Sequence, residues 1–213
     1  MTEYLIVGDI HAKTREFRHL VEKNKGTKII QIGDYGIGFM HGHVQREQML
    51  LHHETQGAVE FIRGNHDSPT DCKDTPGWIP DGTVRNDVMF IGGAWSIDGE
   101  YRQLWNMLWW PDEECTETEF LNMLGIYKTM KPRVMITHDG PEQVTKQMFT
   151  DAGLGMPGMP HIKTRTGSYL QEMFEYHQPE EWYFGHWHRD KTSVIEGTKF
   201  QCLNELSTAR VEL

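Results

Sequence analysis

Five short motifs rich in aspartate, asparagine and histidine occur in a fixed order along this chain. They supply carboxylate and amide oxygens and imidazole nitrogens, the donors that bind hard-to-borderline divalent metals. The motifs are Gly8-Asp9-Ile10-His11, Gly33-Asp34, Gly64-Asn65-His66-Asp67, Thr137-His138 and Gly185-His186-Trp187-His188. Each one alone is also typical of an ordinary turn, but the complete set in this order favours a metal site.

Each motif follows a short β-branched or aromatic run that is typical of a buried strand. The runs cover residues 4–7, 28–32, 59–62, 134–136 and 182–184. Because ligands of α/β sheets bind beyond the carboxyl ends of the strands, we expect the five motifs to meet at one edge. Residues 94–97 are expected to begin a further strand.

The spacing within the motifs indicates which side chains share an ion. Asp9 and His11 are two residues apart, so on an extended segment both face the same way and reach one ion. The same spacing predicts that His186 and His188 face one ion together. Asp34 is a single carboxylate that can bridge two cations, which predicts a two-metal site with the ions about 3.5–4 Å apart.

The composition predicts one globular domain. The chain has 213 residues, of which 24% are charged and 38% hydrophobic, and its formal net charge is −10. This acidity disfavours stable nucleic-acid binding, which needs clusters of lysine and arginine. We expect no signal peptide and no membrane span. The three widely spaced cysteines favour a reduced, cytoplasmic protein.

Taken together, the motifs resemble those of the calcineurin-like metallophosphoesterase superfamily. That family's pattern is Asp-x-His, Gly-Asp, Gly-Asn-His-Asp/Glu, a later His, and Gly-His-x-His, and here it extends from Gly8 to His188. The resemblance implies an α/β fold in which two mixed β-sheets pack together between flanking helices. It also implies a single calcineurin-like phosphoesterase domain over residues 1–213, with a dinuclear metal site at one edge.

The resemblance also implies how the ligands divide between two divalent transition-metal ions. One ion would be held by Asp9, His11, Asp34 and His188. The other would be held by Asp34, Asn65, His138 and His186. A set of nitrogen and oxygen ligands without thiolate is compatible with Mn, Fe, Zn, Co or Ni.

In such enzymes a hydroxide that bridges the two metals attacks phosphorus, and the resemblance assigns His66 as the general acid with Asp67 orienting it. His66 adjoins the ligand Asn65, and adjacent side chains at a strand end point apart, so His66 is expected to face the substrate. The alternative is a supporting structural role for His66. Arg63 is predicted to clamp phosphate, because a guanidinium binds phosphate oxygens bidentately. The alternative for Arg63 is a surface ion pair.

Two departures from the family pattern narrow the function. Ile37 stands where many members have a second acid, and the Asp-Arg-Gly motif of the Ser/Thr protein phosphatases is absent. We therefore predict a hydrolase of small or nucleotide-type phosphoesters, either mono- or diesters. A Ser/Thr-type protein phosphatase is one alternative. A non-catalytic scaffold, as in the retromer subunit with this fold, is another, although that subunit has no histidine at the position of His66.

Two further segments are candidates for covering the site. Residues 150–168 lie between the predicted ligands His138 and His186, and form either a lid or a plain surface loop. Within them His161, Lys163 and Arg165 could approach phosphate. The aromatic residues of segment 101–110 either pack as core or flap, or stack on a nucleobase if they are exposed.

Overall fold

The computed structural model describes residues 2–39, 42–150 and 163–212. Strands and helices alternate through most of this length, as expected for a fold built from β-α-β units. In chain order the elements are β1 (Glu3–Val7), α1 (Thr14–Lys23), β2 (Lys28–Ile32), α2 (His43–Glu54), β3 (Val59–Ile62), α3 (Pro69–Lys73), β4 (Thr83–Arg85), β5 (Val88–Ile91), α4 (Gly99–Leu104), α5 (Glu117–Met130), β6 (Val134–Thr137), α6 (Glu142–Thr150), α7 (Arg165–Tyr176), β7 (Glu181–Phe184), β8 (Lys191–Ile195), β9 (Thr198–Cys202) and β10 (Thr208–Glu212).

The strands form two mixed sheets. The first sheet has the order β10-β1-β2-β3, in which β1, β2 and β3 are parallel and β10 is antiparallel to β1. The second has the order β4-β5-β6-β7-β9-β8, with a parallel centre and an antiparallel strand at each edge. The parallel strands that precede the five motifs are therefore divided between the two sheets.

The two sheets pack face to face through an aliphatic layer. Alternate residues of a strand point to opposite faces of its sheet. Ile30 and Ile32 of β2 and Val134 and Ile136 of β6 are accordingly buried in the layer between the sheets. Ile29, the neighbour of Ile30, instead joins the cluster on the outer face.

Helices cover the outer faces of both sheets. Phe17 of α1 and Val44 of α2 are buried in the cluster on the first sheet. Tyr127 of α5 and Phe174 of α7 are buried in the cluster on the second sheet. The layers are therefore helix, sheet, sheet, helix, and the predicted fold of two packed mixed sheets flanked by helices is confirmed.

The expected strand over residues 94–97 is wrong. This segment is irregular, and the Ser96 amide donates to the Glu113 carboxylate (2.8 Å) instead of to a neighbouring strand. Among the described helices, none is both long enough and apolar enough to cross a membrane.

Candidate metal centre

The predicted ligands lie at the carboxyl ends of five parallel strands, three from the first sheet and two from the second. Because the two sheets pack face to face, these strand ends meet where the sheets adjoin. The ligands are Asp9 and His11 after β1, Asp34 after β2, Asn65 after β3, His138 after β6, and His186 and His188 after β7. The site is therefore shared by both sheets.

The first cluster is formed by Asp9, His11, Asp34 and His188, whose donor atoms all lie within 4.8 Å of one another. The Nε2 atoms of His11 and His188 are 2.9 Å apart. The Oδ2 atom of Asp9 is 3.1 Å from His188 Nε2, and Asp34 Oδ2 is 3.6 Å from His11 Nε2. Two imidazoles and two carboxylates thus point at one common position.

The second cluster is formed by Asp34, His138 and His186, again with donor atoms within 4.8 Å of one another. Asn65 joins it, since its Oδ1 atom is 3.0 Å from His138 Nε2. The other oxygen of Asp34, Oδ1, is 3.3 Å from the same nitrogen. Asp34 therefore presents one carboxylate oxygen to each cluster, which is the arrangement of a bridging ligand.

These donors fit divalent cations. Asp9 Oδ2 is buried and accepts no hydrogen bond of acceptable geometry from the described residues, although the His188 and His11 imidazoles lie 3.1 Å and 3.8 Å away. Burial raises the pKa of the Asp34 carboxyl, but His138, His66 and His11 outweigh this and bring the pKa below its ordinary range. A buried anion in this position needs a positive partner, which a bound metal would provide.

The two buried histidines of the second cluster differ in their electrostatic surroundings. Burial lowers the pKa of His138, but Asp34 more than compensates and raises the pKa to about 10. Burial and the neighbouring His138 lower the pKa of His186 to about 3. The cluster therefore favours one positive charge and leaves His186 neutral, the form in which imidazole binds a metal.

Residues behind the ligands fix their orientation. The Nδ1–H of His138 donates to the carbonyl of Ile32 (2.9 Å), which leaves Nε2 facing the cluster. The Nδ2 amide of Asn65 donates to Ser96 Oγ (2.9 Å), and Ser96 Oγ donates to Glu113 Oε2 (2.6 Å). This chain of hydrogen bonds turns Asn65 Oδ1 toward the second cluster.

The backbone at the ligands is left-handed rather than extended. His11, Asp34, His186 and His188 have φ values of 42°, 55°, 62° and 47°. Residues without a glycine's freedom rarely adopt this region, and each instance costs on the order of 1–3 kcal/mol. The prediction that His186 and His188 face one ion together is therefore wrong, because the left-handed turn directs His186 to the second cluster and His188 to the first.

Two motif glycines are needed because ligand side chains lie against their backbone. A Cβ atom at Gly64 would be 2.1 Å from Asp34 Oδ1, and one at Gly185 would be 2.3 Å from Asp9 Oδ1. Any larger residue at these positions would displace a carboxylate of the site. The Gly-Asn and Gly-His pairs thus combine a ligand with the space that another ligand requires.

His66 lies beside the first cluster and lines the cavity described below. Its ring is edge-on to His11, with centroids 5.3 Å apart, and stacks on Phe39 at 6.3 Å. Burial lowers the pKa of His66, whereas the Asp34 carboxylate opposes that shift. The side chain lines the cavity and belongs to neither donor set.

Asp67 has a different role from the predicted one. Its two carboxylate oxygens accept the backbone N–H groups of Tyr35, Gly36, Ile37 and Gly64 at 2.7–3.1 Å. With four donors already bound, the carboxylate holds the loop after Asp34 against the loop after β3. It fixes the backbone that carries the ligands and does not orient the imidazole of His66.

The structure does not bring Arg63 to the site. The residue is 5% exposed, and its Nε atom donates to Asp81 Oδ2 at 2.8 Å. Its Nη1 atom donates to the carbonyls of Asp112 and Glu113. The guanidinium therefore ties together three segments behind the site, and it is absent from the cavity lining.

A cavity of about 650 Å³ opens from the two clusters. Its lining includes the ligands Asp34, Asn65, His186 and His188 together with His66. Such a volume lies within the range for small-molecule sites. Ligands of both clusters therefore lie at the floor of a pocket that is large enough for a small molecule.

Arg189 is a functional candidate that the sequence reasoning missed. It lines the cavity directly after the ligand His188, and its side chain is exposed. It is the one lysine or arginine in the described lining, and it makes no ion pair with the described residues. Its position next to Gly-His-Trp-His was the available signal.

The two predicted covering segments have different outcomes. Residues 151–162, including His161, lie outside the described residues, so the lid remains a prediction. Arg165 ion-pairs with Glu114 (3.5 Å) and does not face the clusters. In segment 101–110, the side chains of Tyr101 and Trp105 are 58% and 65% exposed, so these two residues are not part of the core.

The calcineurin-like phosphoesterase family model matches residues 3–190, so the chain belongs to this family. No curated protein sequence matches the chain significantly.

Solved structures with a similar fold include TT1561 of Thermus thermophilus, at 14% sequence identity and a TM-score of 0.54, covering 96% of this chain and 91% of that protein. The phosphopantetheinyl hydrolase of Mycobacterium tuberculosis is also similar, at 14% identity and a TM-score of 0.50, covering 96% and 90%. At this identity the likeness shows the fold.

Asp34→Asn is expected to lower metal binding at both clusters together, because it removes one of the two carboxylates of the first cluster and the one carboxylate of the second. The measurement is the metal content of purified protein after dialysis against Mn²⁺. Asp87→Asn, which removes an exposed carboxylate far from the clusters, should retain the parent's content. Loss of a single equivalent from Asp34→Asn would contradict a bridging role.

Ser96→Ala is expected to weaken metal binding at the second cluster by about 10–100-fold. The substitution removes the hydroxyl that links the Asn65 amide to Glu113 and so fixes the direction of Asn65 Oδ1. A metal titration followed by calorimetry checks this, with Ser207→Ala as the control because the Ser207 hydroxyl donates to Asp190 at the surface. An equal loss of metal affinity at both clusters, or no loss at either, would refute the orienting role of Ser96.

Proposed function

We propose that this chain is a metal-dependent hydrolase of small phosphate esters. The observation that carries the proposal is the pair of His/Asp clusters that share Asp34 at the floor of an open cavity. Membership of a phosphoesterase family supports the same chemistry. Divalent ions held by these residues would supply charge neutralisation at the phosphate oxygens and a water of lowered pKa.

His66 is the general acid in this proposal. Hydrolysis joins a water oxygen to phosphorus and breaks the bond to the ester oxygen, which needs a proton as it departs. His66 faces the cavity from beside the first cluster. Burial lowers its pKa, and the neighbouring Asp34 carboxylate opposes that shift by favouring the imidazolium. Its imidazolium can give the ester oxygen that proton.

Arg189 takes the phosphate-binding role that Arg63 cannot fill. Its guanidinium is unpaired within the described part of the chain and lies at the cavity beside His188. Phosphate oxygens accept such a fork of N–H donors in two bonds at once. Arg189 therefore holds the phosphoryl group over the clusters.

The volume of the cavity and the net charge of the chain favour small phosphate esters as substrates, with diesters at least as well suited as monoesters. The cavity of about 650 Å³ suits a molecule of nucleotide size. A net charge of −10 disfavours long polyanions. A protein-phosphatase activity is less well supported because the Asp-Arg-Gly motif is absent. We place the enzyme in the cytoplasm, since its three cysteines are free.

His66→Ala is expected to retain both metals and to slow hydrolysis of an alkyl phosphate by about 10²–10⁴-fold. The loss on a p-nitrophenyl ester should be much smaller, because p-nitrophenolate departs without a proton. Steady-state kinetics on both esters and metal analysis decide it, and His53→Ala on the exposed face of α2 serves as control. Equal losses on the two esters would exclude the general-acid role.

Arg189→Ala is expected to raise KM for a phosphoester by about tenfold, the effect of losing about 1.4 kcal/mol of binding, with an unchanged melting temperature. Arg63→Ala should instead leave KM unchanged and lower the free energy of unfolding by about 3 kcal/mol, because it removes the ion-pair partner of Asp81. Kinetics and thermal unfolding of both variants test the pair. A raised KM and normal stability in Arg63→Ala would return the clamp to that residue.

A further inference from the structure

Beyond the metal ligands, the cavity has an aromatic and aliphatic wall that the hydrolytic role does not use. The wall consists of Trp95, Ile97, Phe149 and Trp187, which we call the apolar wall. Trp95 and Ile97 follow β5, whereas Trp187 follows β7. Phe149 belongs to α6, so the wall is built from three separate segments of the chain.

Trp187 is held rigidly in this wall. Its indole stacks on Phe149 with ring centroids 4.9 Å apart and an interplanar angle of 21°. Its Nε1–H donates to Asp139 Oδ1 at 2.9 Å. Because Trp187 stands between the ligands His186 and His188, the indole has a fixed position relative to both clusters.

Trp95 and Ile97 remain open to the cavity. Ile97 is 49% exposed, and Trp95 is half-buried. The neighbouring Ser96 is buried and bonded to Glu113, which anchors the segment from behind. A half-buried indole that lines the same cavity as the fixed indole of Trp187 is suited to contact a flat ring.

The polar groups next to the apolar wall are mainly acceptors. The carboxylates of Asp98, Asp139 and Glu142 line the cavity, against the single guanidinium of Arg189. Arg102 holds Asp98 (Nε to Oδ2, 2.7 Å), and Lys146 pairs with Glu142. Carboxylates accept hydrogen bonds from N–H groups and repel a second phosphate.

We propose that the apolar wall binds a planar heteroaromatic group that carries N–H donors, of the nucleobase type, while the single phosphate lies at the clusters. This inference rests on the proposed function and names the organic part of its substrate. Trp95 and Trp187 supply the stacking surfaces, and Asp98 accepts from the ring's N–H groups. The cavity volume of about 650 Å³ accommodates one nucleotide.

The test compares Trp95→Ala with the parent on three probes: adenosine 5′-monophosphate, hexyl phosphate and glycerol 1-phosphate. Binding is measured by calorimetry and hydrolysis by kcat/KM. Removal of one stacking surface should weaken the binding of adenosine monophosphate by about tenfold or more. Glycerol phosphate, which has no ring, should change less than twofold, and Trp95→Phe should recover most of the loss.

Trp105→Ala is the matched control, because Trp105 is 65% exposed and does not line the cavity. The inference is overturned if hexyl phosphate weakens as much as adenosine monophosphate in Trp95→Ala, which would indicate an unspecific apolar pocket. It is also overturned if Trp105→Ala carries the loss, which would move the ring to the surface of α4.

The failure of this inference is distinguishable from failure of the proposed function. A protein that hydrolyses none of the three esters refutes the hydrolase, whereas binding of adenosine monophosphate that depends on Trp95 still supports the apolar wall. Hydrolysis of all three esters at rates that Trp95→Ala leaves unchanged refutes the apolar wall alone.

Discussion

The structure depends on the burial of two carboxylates, Asp9 and Asp34, at the place where the two sheets meet. Removing such charges from water is costly unless a positive partner replaces the solvent. The protein surrounds them with imidazoles, but Asp9 Oδ2 still lacks a hydrogen bond within the described residues. Two buried carboxylates, one of them with an oxygen that accepts no hydrogen bond, are the reason that the site fits divalent cations.

Holding these donors together requires a backbone that local preferences oppose. Four ligands adopt left-handed φ values, and the surrounding contacts must offset that strain. Asp67 supplies part of them by binding four backbone amides of the two loops. Gly64 and Gly185 contribute in a different way, because the absence of a side chain leaves room for the carboxylates of Asp34 and Asp9. The residues around the ligands therefore act mainly on the backbone, and this is what positions the site.

The short buried runs, each followed by a polar motif, predicted which groups meet at the strand ends. The two packed sheets and their flanking helices were implied by the resemblance to the family. The sequence did not predict which contacts a side chain selects. Arg63 forms an ion pair with Asp81, whereas the Asp67 carboxylate accepts hydrogen bonds from backbone amides. Neither contact could be predicted from the residues next to it in the sequence. The left-handed turn at His186 likewise depends on tertiary packing, whereas strand geometry would place His186 and His188 on one ion. Segment 94–97 has a strand-like composition, but its amide at Ser96 is taken by Glu113.

The central claim is that Asp34 joins two metal ions in one centre, and the spin coupling of bound manganese tests it most directly. Protein loaded with Mn²⁺ should hold two ions per chain and give the electron paramagnetic resonance spectrum of an exchange-coupled pair, because a shared carboxylate at a separation of about 3.5–4 Å transmits coupling. A spectrum of isolated Mn²⁺ ions, or a stoichiometry of one ion per chain, would contradict the account.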